Sequence, residues 1–395
     1  MRLVVTDGGD RPPPPTPVSG RWAPAGALPV PLVYWHGQYE GPVTLRDGRV
    51  LAAGGAGRLL QALPAAALHD PARGTWTETG GLAEARRTHS LTVLRDGRVL
   101  AAGGISGPQA FPPRTLASAE LYHPGAGTWT PAGPMSGARY GHSATLLPDG
   151  RVLVAGGNRP RDARTVATLT TAELFDPDTG TWSPAREMAD ARWHHIAAPL
   201  PGGRLLVVGG MAAAGRIVPT ALALCEIYDP RTDTWSAAGA MRDARFGHQA
   251  VPLPDGSVLA VGGGRSGSDD ARFDPYGPTG VERYDPATGT WHDEAPLPWT
   301  RAYPRALPLP SGEVLVLGGA DPAALDVGFP SALRFDPVAR RWSSAGPLHT
   351  GRWAFGATSL ADGRVLAAGG VSRTGVAAPV FAADVAASGA EVFTP

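Results

Sequence analysis

The sequence predicts an all-β fold, a closed seven-bladed β-propeller of four-stranded blades, and three observations carry that prediction. Gly-Gly pairs begin at Gly54, Gly103, Gly156, Gly209, Gly262, Gly318 and Gly369, at steps of 49, 53, 53, 53, 56 and 51 residues. Each pair closes a short apolar run, and a second strand, a turn and a tryptophan follow at a steady distance. The last unit stops before its tryptophan, and a matching segment stands at the other end of the chain. A period near 50 residues is the mark of a repeat architecture whose units bury their faces on one another.

Each element of the unit has a local reason. A turn such as Asp96-Gly97 or Asp149-Gly150 precedes the runs Val99-Leu100-Ala101-Ala102 and Val152-Leu153-Val154-Ala155. Asp-Gly between apolar segments is a strong hairpin signal because glycine accepts the positive φ of a tight turn. Downstream come Leu121-Tyr122-His123-Pro124, Leu174-Phe175-Asp176-Pro177 and Ile227-Tyr228-Asp229-Pro230, then Trp129, Trp182 and Trp235. One strand before the Asp-Gly turn, one into Gly-Gly, one ending in Asp-Pro and one carrying Trp make four. After Gly369 the chain ends at Glu391-Val392-Phe393-Thr394-Pro395, while Thr16 to Trp22 aligns with Asp336 to Trp342. The N-terminal segment is therefore expected to supply the outer strand of blade 7, so that this blade consists of residues 352–395 plus 16–24 and no edge is left open. Residues 1–15, with the run Pro12–Pro15, read as a flexible proline-rich lead-in, and residues 16–395 as a single propeller domain.

Composition narrows the function class. The chain has 395 residues, 53 Gly and 41 Pro; its 35 basic residues are all Arg and balance 35 acidic ones. A neutral chain offers no electrostatic case for nucleic acid or an anionic membrane. The lack of Lys removes Schiff-base chemistry, and the all-Arg usage suggests a GC-rich bacterial source. One cysteine, Cys225, excludes an intramolecular disulfide and a Cys-cluster metal site. With no apolar leader and no span of about 20 apolar residues, a cytoplasmic, monomeric protein is expected.

These motifs resemble the kelch repeat, the diglycine followed by a spaced Tyr and Trp, over essentially the whole chain. The resemblance implies that ligands are met on the face formed by the segments leading into the inner strands and by the loops after Gly-Gly. Fourteen residues before each first glycine stand Glu40, His89, His142, His195, His248, Pro304 and Phe355. Four histidines in one repeat slot serve either the repeat or a metal. One residue earlier the slot reads Tyr39, Thr88, Gly141, His194, Gly247, Tyr303 and Ala354, small residues interrupted by Tyr, His and Tyr. Tyrosine and histidine relay protons or bind metals. Trp35 and His36 precede them in blade 1; Arg87, Tyr140, Trp193, Phe246 and Trp353 flank them elsewhere. A repeated arginine, Arg86, Arg139, Arg192, Arg245, Arg301 or Arg352, stands one further residue before the inner strand in most blades and is expected to pair with carboxylates or carbonyls of neighbouring blades.

The leading expectation is an enzyme of bacterial specialised metabolism that performs a non-redox acid–base rearrangement of a small molecule, a cyclisation, isomerisation or elimination. Its catalytic candidates are His194, Tyr303, Tyr39 and Glu40; its ligand-binding candidates are Trp35, His36, Arg87, Tyr140, Trp193, Phe246 and Trp353. No cofactor is required by the sequence. Similarity to kelch-like sialic acid mutarotases gives a precedent for such chemistry. Similarity to the galactose oxidase propeller implies a copper alternative through Tyr39, Tyr303 and His194, although Cys225 lies away from them. Similarity to plant specifier proteins implies an iron alternative through Glu187, Asp190 and His194. The rival from another class is a scaffold that binds a peptide or protein partner on the same face.

Overall fold

The computed structural model describes residues 20–34, 37–57, 60–108, 110, 112–162, 165–212, 220–266, 273–274, 279–320, 328–373, 385–386 and 388–395. The proline-rich lead-in and residues 16–19 lie outside them, as do Trp35, His36, Phe111 and the middles of the loops after Gly-Gly in blades 5 and 6. Seven antiparallel four-stranded sheets account for the repeats. Blade 2 is typical: an inner strand Ser90–Val93, then Val99–Ala102, Ala119–His123 and an outer strand Thr128–Ala132. No helix among the described residues is long and apolar enough to cross a membrane.

Blade 7 closes the ring as its sequence predicts. Arg21–Ala27 pairs with Gly389–Thr394, with Arg21 opposite Thr394 and Trp22 opposite Phe393. The Trp22 and Phe393 rings lie 5.1 Å apart, the geometry that Tyr122 and Trp129 (5.0 Å) or Phe175 and Trp182 (5.0 Å) show within blades 2 and 3. The tryptophans also reach the preceding blade: Trp129 Nε1 donates to Gly80 O at 2.8 Å and Trp182 Nε1 to Gly133 O at 2.6 Å. The apolar core sits between blades, as in the cluster of Leu45, Leu51, Leu68, Leu91, Val99 and Tyr122 shared by blades 1 and 2.

The repeated arginine is fully buried, and its partners lie within its own blade, a correction to the expectation of cross-blade pairing. Arg139 Nη1 donates to Gly156 O (3.0 Å) and Thr171 O (2.8 Å), while Nη2 reaches Glu173 Oε1 at 2.7 Å. The cross-blade link comes one bond later, because Glu173 Oε2 accepts the Ser136 N–H (2.7 Å) of the segment arriving from blade 2. The same arrangement recurs at Arg86–Glu120, Arg192–Glu226, Arg245–Glu282 and Arg352–Glu391. In blade 6 the acid is replaced by Leu333, and Arg301 lies 5.0 Å from the Phe329 ring and 5.9 Å from Trp299 instead.

Removing one partner of a buried ion pair strands the other charge, at a cost of about 3–5 kcal/mol. Arg139→Ala is therefore expected to lower unfolding free energy by that amount in a denaturant titration. The double change Arg139→Leu with Glu173→Ala is expected to cost less than half as much, since blade 1 already carries Leu32 and Ala67 at these two positions.

Candidate functional site

The candidate site is the mouth of the central channel, where the segments leading into the inner strands meet. In each segment one residue pairs with the residue after Gly-Gly: Arg87 with Ile105, Tyr140 with Asn158, Trp193 with Met211, Phe246 with Gly264, Ala302 with Ala320 and Trp353 with Val371. The next residue turns into the left-handed region at Thr88 (φ 51°), Gly141 (64°), His194 (50°), Gly247 (56°), Tyr303 (52°) and Ala354 (47°). The slot whose sequence looks irregular is thus a backbone conformation that glycine adopts freely and that costs other residues about 1–3 kcal/mol.

Backbone hydrogen bonds join these slots from blade to blade. Gly141 N donates to Thr88 O (3.1 Å), His194 N to Gly141 O (2.9 Å) and Gly247 N to His194 O (3.4 Å). The rings of His194 and Tyr303 each stand against a glycine in the slot before. A β-carbon on Gly141 would stand 3.1 Å from His194 Cδ2, and one on Gly247 would stand 2.7 Å from Tyr303 Cε1. His194 and Tyr303 therefore lie with their rings across the neighbouring blade.

Blade 1 departs from the counting that places Tyr39 and Glu40 in these slots. Val33 pairs with Ala56, 23 positions on (56 − 33), whereas Arg87 pairs with Ile105, 18 positions on (105 − 87). The extra residues form the short helix Gly37–Glu40. Tyr34 is the true counterpart of Thr88, and the helix carries Tyr39 and Glu40 inward. The Tyr39 hydroxyl accepts the Ala197 N–H at 2.6 Å and lies 3.5 Å from Ala197 O, so its ring spans from blade 1 to the inner strand Ile196–Pro199 of blade 4. Burial raises its phenol pKa, offset in part by the Ala197 bond. Glu40 is fully buried and its Oε1 accepts the Thr88 N–H at 2.6 Å, so a carboxylate stands at the start of the slot-to-slot chain of hydrogen bonds. Both residues thus reach from blade 1 to other blades beneath the mouth, as a stopper for the channel.

A third stopper residue, Arg305, is absent from the sequence-based candidates. Its Nε donates to Phe355 O (2.6 Å), Nη1 to Pro304 O (3.0 Å) and Nη2 to Tyr34 O (3.3 Å), tying blades 6, 7 and 1. Burial lowers its pKa to about 10 and the nearby Glu40 opposes that shift. Its one sequence signal is an arginine in a slot that elsewhere reads Ser90, Ser143, Ile196, Gln249 and Gly356.

Above the stopper the remaining candidates gather. Tyr140 and Trp193 meet edge to face at 6.1 Å, Trp193 lies 4.3 Å from His194, Phe246 is 6.2 Å from Tyr303, and Tyr303 is 6.1 Å from Trp353. Phe246 is fully buried behind this arc, packed against Met211 and Ala221. Arg87 ends the arc, half-buried; burial lowers its pKa, while Glu40 and Tyr140 work against that. The Tyr303 phenol is raised by burial.

The histidine slot serves the repeat. His142 Nε2 lies 3.0 Å from Ser90 Oγ and His195 Nε2 lies 2.9 Å from Ser143 Oγ. Each ring fills the space beside the preceding blade's first glycine: a β-carbon on Gly103 would stand 2.9 Å from His142 Cε1. Pro304 and Phe355 fill the same space against Gly262 and Gly318. Among the described residues no group of three His, Cys, Asp or Glu side chains converges as a metal site. Glu187 bonds Thr170 (2.6 Å) and Asp190 faces Arg192 (3.6 Å), so neither turns to His194. Cys225 is buried in the third strand of blade 4, where burial pushes its thiol up to about 11.

Comparison with known proteins agrees with this architecture. The kelch motif matches residues 86–136 and 192–242. Kelch-like protein 34 of Homo sapiens is 29% identical over 225 residues, 55% of this chain and 33% of that protein. Kelch-like protein 35 of Mus musculus is 26% identical over 261 residues, 66% and 40% of the two chains. Beta-scruin of Limulus polyphemus is 28% identical over 233 residues, 56% and 24%. The matched region thus spans well under half of each relative. Among solved structures, a fungal alcohol oxidase of the AA5 family in complex with copper superposes with a TM-score of 0.69 at 17% identity, covering 95% of this chain and 76% of its own. That likeness is one of fold. The protein is a seven-bladed β-propeller that carries kelch motifs and is similar to kelch-like proteins over part of their length.

Two expectations follow. His194→Gly and Tyr303→Gly relieve left-handed strain, so thermal unfolding is expected at the wild-type temperature or above it, despite the loss of two large side chains. His248 is buried and its pKa is lowered from 6.5 to about 3, first by desolvation and then by Arg245. The unfolded chain therefore takes up this proton first. The stabilisation is whole above pH 6.5 and is lost as pH falls toward 3, by up to about 1.4 kcal/mol per pH unit. His248→Phe, which copies the Phe355 solution of blade 7, is expected to lose less stability than wild type between pH 7 and pH 5 in denaturant titrations.

Proposed function

We propose that the channel mouth binds a flat, acid-bearing small molecule and rearranges it by acid–base chemistry. The observation that supports this reading is the arc of rings from Tyr140 through Trp193, His194 and Tyr303 to Trp353, with Arg87 at one end. Aromatic faces stack a planar ligand, and a guanidinium bonds a carboxylate in a fixed fork. Glu40 and Arg305 offset each other beneath the arc, which leaves Arg87 as the charge that selects an anion. Tyr303, held protonated by burial, is suited to donate a proton or a hydrogen bond. His194 is the complementary acceptor. That both occupy left-handed slots which glycine fills in blades 3 and 5 supports a role beyond the repeat, because strain of this kind is kept where surrounding structure and function require it.

The test uses tryptophan fluorescence and a panel of aromatic carboxylates, each beside its neutral amide. Saturable quenching is expected for acids over amides, with Arg87→Ala removing the preference by about tenfold or more. With a turned-over ligand in hand, His194→Gln and Tyr303→Phe are expected to lower kcat at least about 100-fold while binding persists. Binding of a peptide or protein partner alone, with no small-molecule preference at Arg87, would overturn the reading.

A further inference from the structure

Blade 1 is the one blade whose sequence lacks both members of the buried arginine–glutamate pair. Leu32 stands where Arg86 stands in blade 2, as the pairing of the next residues, Val33 with Ala56 and Arg87 with Ile105, fixes. Ala67 stands where Glu120 does, since Ala52 pairs with Ala67 as Ala101 pairs with Glu120. The space has not been filled by larger neighbours. A cavity of about 310 Å³ remains, walled by Leu28, Val30, Leu32, Leu63 and Ala67. That volume lies within the usual range for a small ligand site.

One of the two carbonyl-bearing positions that the missing side chain would meet lines the cavity. In blade 2 the Arg86 guanidinium donates to Gly103 O (2.9 Å) and Ser118 O (3.1 Å). The counterpart of Ser118 is Ala65, which lines the cavity. In blade 2 the acid also takes the Ala83 N–H at 2.7 Å. The counterpart of Ala83 is Pro29, which has no N–H to offer, so one of the two N–H groups that hold the acid in blade 2 (Ala83, and Glu84 at 3.2 Å) is missing from the arriving segment. An acid is nevertheless present, moved across one strand pairing. Glu78 stands directly opposite Ala67, and it lines the cavity from an exposed position. The same position holds Pro131, Pro184, Ala237 and Pro24 in blades 2, 3, 4 and 7, and Asp293 in blade 5.

From this juxtaposition we infer that the blade 1 cavity is a binding site for an alkylguanidinium group supplied from outside the chain. The aliphatic stem packs on the leucine and valine walls, the planar head donates to the carbonyl floor, and Glu78 neutralises its charge at the rim. Five sibling blades hold an arginine side chain in this setting, with a carboxylate beside it. Blade 1 keeps the acceptor and an acid and omits the cation. The group is either a free small molecule or an arginine side chain of a partner; the chemistry of recognition is shared.

The experiment is calorimetric titration of the full chain with n-butylguanidinium, and with n-butylurea as its uncharged counterpart. Saturable binding of the cation is expected, at least about tenfold tighter than the urea, and Glu78→Gln is expected to erase most of that difference. Ala67→Leu, which fills the cavity with an apolar side chain, is expected to abolish binding while circular dichroism and thermal unfolding report an intact fold. Should that variant fail to fold, the double change Leu32→Arg with Ala67→Glu supplies the internal pair and is expected to have the same effect. Agmatine and a capped Gly-Gly-Arg-Gly-Gly peptide separate the sources: tighter binding of the first marks a free small molecule, of the second a partner's side chain. Equal affinity for the urea, binding that survives Ala67→Leu in a folded protein, or no saturation with any of these cations overturns the inference.

Discussion

Six guanidinium groups stripped of water organise this ring. Each ties the carbonyl of a first glycine to the approach of the third strand, and in five blades a glutamate carries the link onward to the segment arriving from the blade before. A charged donor in a low-dielectric interior is costly unless it is bonded, and here the terminal guanidinium nitrogens are met by backbone carbonyls that the strands present in fixed positions. The diglycine follows from this arrangement. Its first residue must hold a left-handed φ, as Gly103 does at 63°, and leave room for the next blade's Arg139 carbonyl and His142 ring. Tryptophan contacts and interblade apolar clusters then pack on a frame whose strand ends are already set.

The mouth uses the same frame differently. Where the repeat places a left-handed residue, the chain alternates glycine with a ring, so that His194 and Tyr303 lie across blades 3 and 5. Stability and local strain are thereby set against each other within one slot. The stopper beneath, Tyr39, Glu40 and Arg305, directs polar groups at the channel-facing backbone of the inner strands, whose edges have no further strand to pair with. Tyr39 meets Ala197 in this way, and Arg305 meets Phe355 and Tyr34.

The repeats are legible in the sequence because each signal is local: an Asp-Gly turn, a glycine pair and a spaced Trp specify their own surroundings. The ring closure is legible too, since a unit missing its outer strand at one end finds it at the other. Register is harder to read wherever a loop changes length. Counting back from Gly54 misplaces Tyr39 and Glu40, because the helix Gly37–Glu40 adds residues between the mouth and the inner strand. Arg305 is passed over because nothing in a linear count distinguishes an arginine aimed at three blades from one on a surface. The arc itself, Tyr140, Trp193, His194, Tyr303, Trp353 and Arg87, emerges from the slots in which the repeat breaks its own pattern.

The pairing of Arg21 with Thr394 has a consequence for the order of events during synthesis. The strand needed to complete the last sheet is made long before its partner, Gly389–Thr394. Until then residues 21–27 have no sheet to join, and blade 7 has an open edge. Contacts between such distant positions close the longest loop in the chain and form slowly. Six blades can assemble as they leave the ribosome, but the circle closes only once residues 389–394 are free to pair, and an exposed strand edge is the price of waiting.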